Sequence, residues 1–317
     1  MKDLLDSADT GGLHSLNHSS LRELSLLYRQ TAADLSTLRQ DSSGKSYEPL
    51  VHQLLRRAHN LIYAGERPPK NAILQFVTRG FPEVFVRTLP HIGIVFCIFL
   101  AGGLVGVILT LYNADFAMSF LGPQMVATIE KQEMWTHSIV SIKPMASSAI
   151  MTNNISVSIT TFASGILGGI GTVWLEFFNG LMMGVIGTAC WLHGMSLKLW
   201  SFVTPHGVLE LPAIFIAGGA GLRLAEGLLF PGYLSRRASV VAAGADAIRL
   251  FMGVIPILII AGIIEGFVSP TDVPASLKFM MGAGLFVVFA GYMFSPLLFR
   301  KTPTARVAER TGEPTRG

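Results

Sequence analysis

Charge is what this chain has least of. Only 14% of its 317 residues are Asp, Glu, Lys or Arg and half are hydrophobic, whereas an ordinary soluble domain carries about 25% charge. That excludes a plain soluble globule. Cysteine is nearly absent too: Cys97 and Cys190 both fall inside apolar stretches and are too few for a disulfide framework or a thiolate metal cluster. A net charge of +4 forms no dense basic tract, so nucleic acid is not an expected partner. The chain also lacks a His-Glu-x-x-His, a paired Cys-x-x-Cys and a Gly-x-Ser-x-Gly elbow. Gly44-Lys45-Ser46 is no phosphate loop, because Arg39 stands where the first glycine of such a loop belongs. The sequence therefore reads as a non-enzyme with no cofactor and no metal. Residues 1–90 hold no short apolar stretch with a small-residue cleavage site, so no signal peptide is expected and the N-terminus should stay on the synthesis side.

What the chain has in quantity is apolar sequence gathered into blocks, with a mean hydropathy of +0.52. Six blocks, nearly free of charge, approach the roughly 20 residues that cross a bilayer: 92–111, 155–174, 177–192, 211–230, 250–268 and 279–298. The expected fold is all-α, a polytopic helical membrane protein of about six transmembrane helices. The lipid bilayer is its first partner.

Loop charges give an orientation. With the N-terminus inside, residues 1–91, the 231–249 loop and the tail hold nineteen Lys and Arg, while Lys131, Lys143, Lys198 and Lys278 are the four outside. This asymmetry predicts a multi-pass protein of the cytoplasmic membrane with both ends inside. The weakest element is the pair 155–174 and 177–192, separated by Leu175 and Glu176 alone; it either crosses twice or forms a re-entrant hairpin.

The soluble parts are expected to be helical. Residues 20–40 place Leu21, Leu24, Tyr28, Leu35 and Leu38 on one face, and residues 47–64 do the same through Leu50, Leu54, Leu55, Ala58, Leu61 and Ile62. With a turn at 41–46 and a stop at Pro68-Pro69, this reads as a cytoplasmic helical hairpin that either packs on the bundle or docks a partner. Residues 71–89 mix Phe76, Val77, Phe81, Phe85 and Val86 with Arg79 and Arg87, as a helix in the interfacial plane does. The predicted domains are 1–90, hairpin plus interfacial helix; 91–299, a six-span membrane domain; and 300–317, a disordered cytoplasmic tail. Within the membrane domain the long outer loop 112–154 has room for a second interfacial helix at 118–135, with Trp135 at head-group depth.

Ionisable groups near the spans are the candidate functional residues, because an unpaired charge in lipid costs at least ~2.5 kcal/mol. His206 and Glu210 stand four apart where the 211–230 span begins, either a helix-start hydrogen-bond pair or an incomplete metal or proton site. Arg223 and Glu226, three apart, can pair on one face. Glu176, Glu210 and Glu265 lie at span ends, where interfacial capping and a proton or substrate role are both open. Asn154 and Asn179 are expected to cap or bridge helices. Glycines four apart, at Gly102 and Gly106, Gly165 and Gly169, Gly180 and Gly184, and Gly262 and Gly266, offer smooth packing faces. They serve either tight bundle packing or discontinuous helices around a transport site; as a scaffold the protein is expected to be a homo-oligomer.

The order of several segments resembles the stage II sporulation protein M family. They are FPEVFVRTLPHI at 81–92, IMTNNISVSITTFASGILGGIGT at 150–172, LEFFNGLMMGVIG at 175–187, HGVLELPAIFIAGGAGLRLAEGLLFPG at 206–232 and AGIIEGFVSP at 261–270, with LYRQTAADL at 27–35 also similar. Asn154, Phe162, Gly165, Gly171, Asn179, Gly180, His206, Glu210, Gly221, Glu265 and Pro270 match the family pattern. The resemblance implies an integral-membrane scaffold that joins partners such as a peptidoglycan hydrolase in cell-envelope remodelling, in organisms that need not sporulate. It also implies a cytoplasmic AAA+ ATPase of the MoxR type as a partner. It carries no catalytic assignment. The alternative from the residues is a permease or channel in which Asn154, Asn179, Glu210 and Glu265 converge.

Overall fold

A backbone in lipid must satisfy its own hydrogen bonds, and apolar runs of this length do so as helices. A computed structural model describes residues 1–11, 16–38, 47–63, 71–133 and 143–298, and they contain helices and no strand. The expected tail 300–317, the turn at 41–46, Gly44-Lys45-Ser46, Pro68-Pro69 and Trp135 lie outside the described residues. The chain divides into two units, Met1–Ile73 and Leu74–Gly317.

The first unit holds α1 (Lys2–Gly11), α2 (His18–Leu38) and α3 (Glu48–Tyr63). Leu5, Leu24 and Ala58, one from each helix, are buried together, with Tyr28 and Leu54 packed beside them. Arg57 of α3 donates to Asp6 of α1 at 2.7 Å. The unit is thus three helices rather than a two-helix hairpin. The sequence hid α1 because its ten residues carry too few apolar positions to show a period.

The second unit opens within a helical turn, Ala72–Gln75, which runs into a π turn Phe76–Gly80 and then α4 (Phe81–Tyr112). These form one helical run, Ala72–Tyr112, so residues 71–89 are not a separate helix: Phe81, Val84 and Phe85 are buried in the main core. After α4, two short helices occupy much of the expected loop, α5 (Ala114–Leu121) and α6 (Pro123–Glu130). Gly122, at φ +84°, breaks what was expected as a single helix at 118–135. The long helices then follow: α7 (Lys143–Ala163), α8 (Ile170–Leu192), α9 (Ser196–Leu229), α10 (Arg236–Phe267) and α11 (Ala275–Met293), ending in the turn α12 (Ser295–Leu298).

Among the described residues five helical runs are long and apolar enough to span a membrane: Ala72–Tyr112, α8, α9, α10 and α11. Helix α7 is long enough, about 31 Å, but is not one of the five, so five apolar spans stand where the sequence led to about six. The expected 155–174 block is divided. Helix α7 ends at Ala163, a 3-10 turn covers Ser164–Leu167, and Gly168 and Gly169, at φ +67° and +83°, reverse the chain into α8. The boundary therefore lies seven residues before Leu175-Glu176, where positive φ favours glycine.

Contacts between helices show how they run. Phe81 of α4 packs on Gly253 of α10 and meets the Tyr292 ring of α11, which marks one end, here the basic end. At the other, distal end Gly282 of α11 packs on Thr204 of α9. Helix α7 sets Met151 against Gly262 of α10, and just past its end Gly165 lies against Gly221 of α9; the turn at Gly168 and Gly169 then touches Leu222, Ala225 and Leu229. So α7 traverses the bundle from distal to basic end beside α10. Helix α9 is the central column, with residues from Ala213 to Gly221 buried in succession, as a helix surrounded by others must be. Leu100, Leu104 and Ile108 on α4 and Met280, Phe286, Val287 and Val288 on α11 are exposed, which suits lipid. A second cluster at the distal end packs Ala117 and Ile129 of α5 and α6 on Val185, Cys190, Met195 and Leu199.

Candidate functional site

Helix α9 begins fifteen residues before the expected span because its hydrogen-bond ladder runs on past Glu210 and past Pro205 and Pro212, which lie inside it. His206 and Glu210 are therefore not at a helix start, and a helix-start pair is excluded. They sit one turn apart in the helix interior and face the end of α10, where Glu265 joins them. The ligand atoms of His206, Glu210 and Glu265 all lie within 4.8 Å of one another. The His206 and Glu265 side chains are only 6% and 11% exposed, with Nε2 and Oε1 3.9 Å apart, too far for a hydrogen bond. The other oxygen, Glu265 Oε2, is buried with no hydrogen-bond partner.

The surroundings hold this group in place. His206 Nδ1 and Ser269 Oγ are 2.9 Å apart, and the Phe202 ring meets the imidazole edge-on. Buried Lys278 donates to the Ser269 and Thr271 carbonyls, each at 2.7 Å, and so caps the turn that ends α10 with a cation where the helix dipole is negative. Glu265 and Ser269 stand four apart, the same step as His206 and Glu210, so two one-turn pairs face each other across α9 and α10. Ser269 lies in AGIIEGFVSP, but the partner across the interface leaves no mark in a linear pattern. Lys278 had been counted only as a loop charge.

Two further polar groupings lie along α9. Glu176 of α8 is wholly buried and neither carboxylate oxygen has a hydrogen-bond partner. Its Oε1 lies over Gly218, where an added Cβ would come within 2.5 Å, beside Val95 of α4. Glu176 is not the inner turn between two spans but a second-turn residue of α8. Toward the basic end Arg223 donates to Glu226 at 2.6 Å and lies 3.6 Å from Asp246 of α10. Arg87 of α4 also donates to Asp246, and His91 Nε2 is 3.2 Å from Glu226. Arg87 reads from the sequence only as a head-group contact, and His91 and Asp246 leave no signal there, since each lies at a span edge where charge is unremarkable.

The remaining candidates lie elsewhere. Asn154 is half-buried on α7, and Asn179 sits on α8 with its Nδ2 buried and without a partner. Of the glycines, Gly102 and Gly106 face the Phe177 and Leu181 carbonyls of α8, while Gly180 and Gly184 face the Phe99 and Gly103 carbonyls of α4. A Cβ at any of the four would strike backbone. Gly165 packs on Gly221 and Gly262 on Met151, whereas Gly169 serves the reversed turn as well as packing on Leu222 and Ala225. Gly165 and Gly169 do not share a helix face, because α7 ends before both and Gly165 lies in the 3-10 turn while Gly169 lies in the reversal. Gly266 is buried on α10. Thr172 Oγ1 donates to the Thr161 carbonyl at 2.7 Å and ties α8 back to α7.

One histidine and two carboxylates can share a proton or hold a cation. Comparison with known proteins adds identity but no chemistry. The chain is similar to an uncharacterized protein of Methanocaldococcus jannaschii, 26% identical over 166 residues that cover 51% of this chain and 91% of the relative. No solved structure matches it. The sequence model of stage II sporulation protein M matches residues 89–270, more than half of the chain and every helix that builds the His206 site except α11. The chain belongs to the stage II sporulation protein M family.

Proposed function

We propose that the protein is a non-enzymatic, multi-pass scaffold of the cytoplasmic membrane, working as an oligomer and recruiting partners for cell-envelope remodelling. Those partners are a cytoplasmic AAA+ ATPase or cell-wall enzymes, drawn from what the family resemblance implies. The observation that supports it is the layering of polar groups along α9. His206 and Glu210, then Glu176 over Gly218, then Arg223 and Glu226 are stacked with roughly 8 to 12 Å of helix between levels. Ala213, Ile216, Ala217 and Ala220 between them are buried. Relay of a proton or ion needs groups within about 3 Å or a bridging water, and packed apolar layers interrupt such a relay. A body built this way is better suited to holding a shape for partners than to conducting solute.

The second reading, a permease, draws on the meeting of Glu210 and Glu265, two of the four residues such a role requires. Both ends in the cytoplasm needs an even number of crossings, so α7 must cross with the five apolar helices. Its length of about 31 Å matches the roughly 30 Å hydrocarbon core. Reporter fusions at both termini test this: an external terminus would overturn it. Affinity capture from mild detergent with mass spectrometry tests the scaffold. An AAA+ ATPase or wall enzyme held by the full chain and lost on deleting residues 1–73 is the expected result. A lone protein that passes ions or solutes in liposomes would favour permeation instead.

A further inference from the structure

We infer that His206, Glu210 and Glu265 form a binding site for a first-row divalent cation of the Zn2+ or Mn2+ kind, clamping α9 to the end of α10. The donor set and its spacing carry the inference. Ligands at about 2.0–2.2 Å from a tetrahedral ion stand about 3.4 Å from each other, and the three donors here already lie within 4.8 Å. Small rotamer changes at two glutamates close the difference.

A second observation is independent of the spacing. Glu265 Oε2 is buried and has no hydrogen-bond partner, so the carboxylate that approaches His206 through Oε1 keeps an oxygen whose lone pairs no other group uses. The charge balance agrees. Two half-buried carboxylates share this position beside a buried histidine, and the nearby ammonium of Lys278 is spent on the Ser269 and Thr271 carbonyls. A bound dication supplies the missing positive charge.

The imidazole is oriented as a metal ligand is oriented. Its Nδ1 is engaged by Ser269 Oγ at 2.9 Å, which leaves Nε2 toward Glu265, and Ser269 is itself fixed through its carbonyl by Lys278. Outer-shell contacts of this kind set ring orientation at metal sites. A mixed nitrogen and oxygen set disfavours Cu(I), which prefers sulfur, and Ca2+ or Mg2+, which prefer oxygen alone. Three protein ligands leave a position for water. This inference does not depend on the scaffold reading.

The test uses full-length protein in lipid nanodiscs, stripped with chelator and titrated with ZnCl2 and with MnCl2 by calorimetry, with metal content measured after desalting. One ion per chain is expected for the wild type. Glu265→Gln and His206→Ala should each weaken binding at least 100-fold, and Ser269→Ala by 10- to 100-fold. Glu176→Gln, outside the cluster, should bind as the wild type does. A wild type without stoichiometric binding, or full binding by both Glu265→Gln and His206→Ala, would overturn the site. If these variants fail to fold, Co2+ added to wild-type protein decides: visible d–d bands abolished by Zn2+ support the site, and a featureless spectrum overturns it.

Discussion

Two junctions in this bundle are built on opposite principles. Between α4 and α8 the backbones touch through Gly102, Gly106, Gly180 and Gly184, with no polar side chain needed. Between the distal ends of α9 and α10 the contact is made by His206, Glu210, Glu265 and Ser269, with one carboxylate oxygen left over. In lipid the hydrophobic effect does not draw helices together, so close van der Waals contact must. The glycine seam supplies cohesion of that kind. The polar junction does not need to exist for cohesion, and buried ionisable groups in a membrane are retained when they act. The difference teaches that one junction is held by backbone contact and the other by ionisable groups, which makes the second the candidate site.

The largest expected effect breaks the seam. Gly180→Leu places a side chain on the Phe99 carbonyl, and because backbone cannot yield as a rotamer does, the loss should be about 3 kcal/mol or more. Thermal unfolding and the yield of monodisperse protein in detergent measure it; an unchanged midpoint would mean the seam is not load-sharing. Glu176→Met sharpens the other side of the comparison. It removes a buried carboxylate with no partner and keeps the length, so a gain of about 1–3 kcal/mol is expected, read by the same melt. A loss of stability would show that Glu176 is paired in the membrane.

Smaller effects come from the surface of the same bundle. Asp246→Asn removes the negative charge that Arg87 and Arg223 share and leaves one of its two acceptor oxygens. Because Arg87 is more than half exposed, the cost should be about 0.5–1 kcal/mol and shrink with added salt, which melts at low and high ionic strength would reveal. Gly93→Ala is the control for the seam: nothing lies within 4 Å of its added methyl. Helix propensity alone should then act, raising stability by roughly 0.5 kcal/mol. A loss comparable to that of Gly180→Leu would remove the distinction between facing and open glycines.

Much of the fold was legible in order and type. The apolar blocks correspond to α4, α8, α9, α10 and α11, because hydropathy reports the solvent each segment meets. The exceptions have physical causes. Glu210 bounded an apolar block but not a helix, since the backbone ladder ignores a side chain's charge when the fold gives it company. The hydroxyl-rich sequence before Gly168 looked continuous, yet only the conformation of Gly168 and Gly169 divides α7 from α8. At the site, His206, Glu210 and Glu265 were each visible as ionisable residues in apolar surroundings. Their meeting was not, nor were the roles of Ser269 and Lys278.

The sequence by itself determined that this chain is helical, that it meets lipid along several long apolar segments and that glycine spacing permits close packing. These follow from composition and short-range periodicity, which act through solvent transfer and local sterics. Only the tertiary structure decided which glycines face which carbonyls and which carboxylates share a site. Residues 206 and 265 are 59 positions apart, and what brings them within reach of each other is the antiparallel packing of two helices, a long-range result that no local pattern encodes.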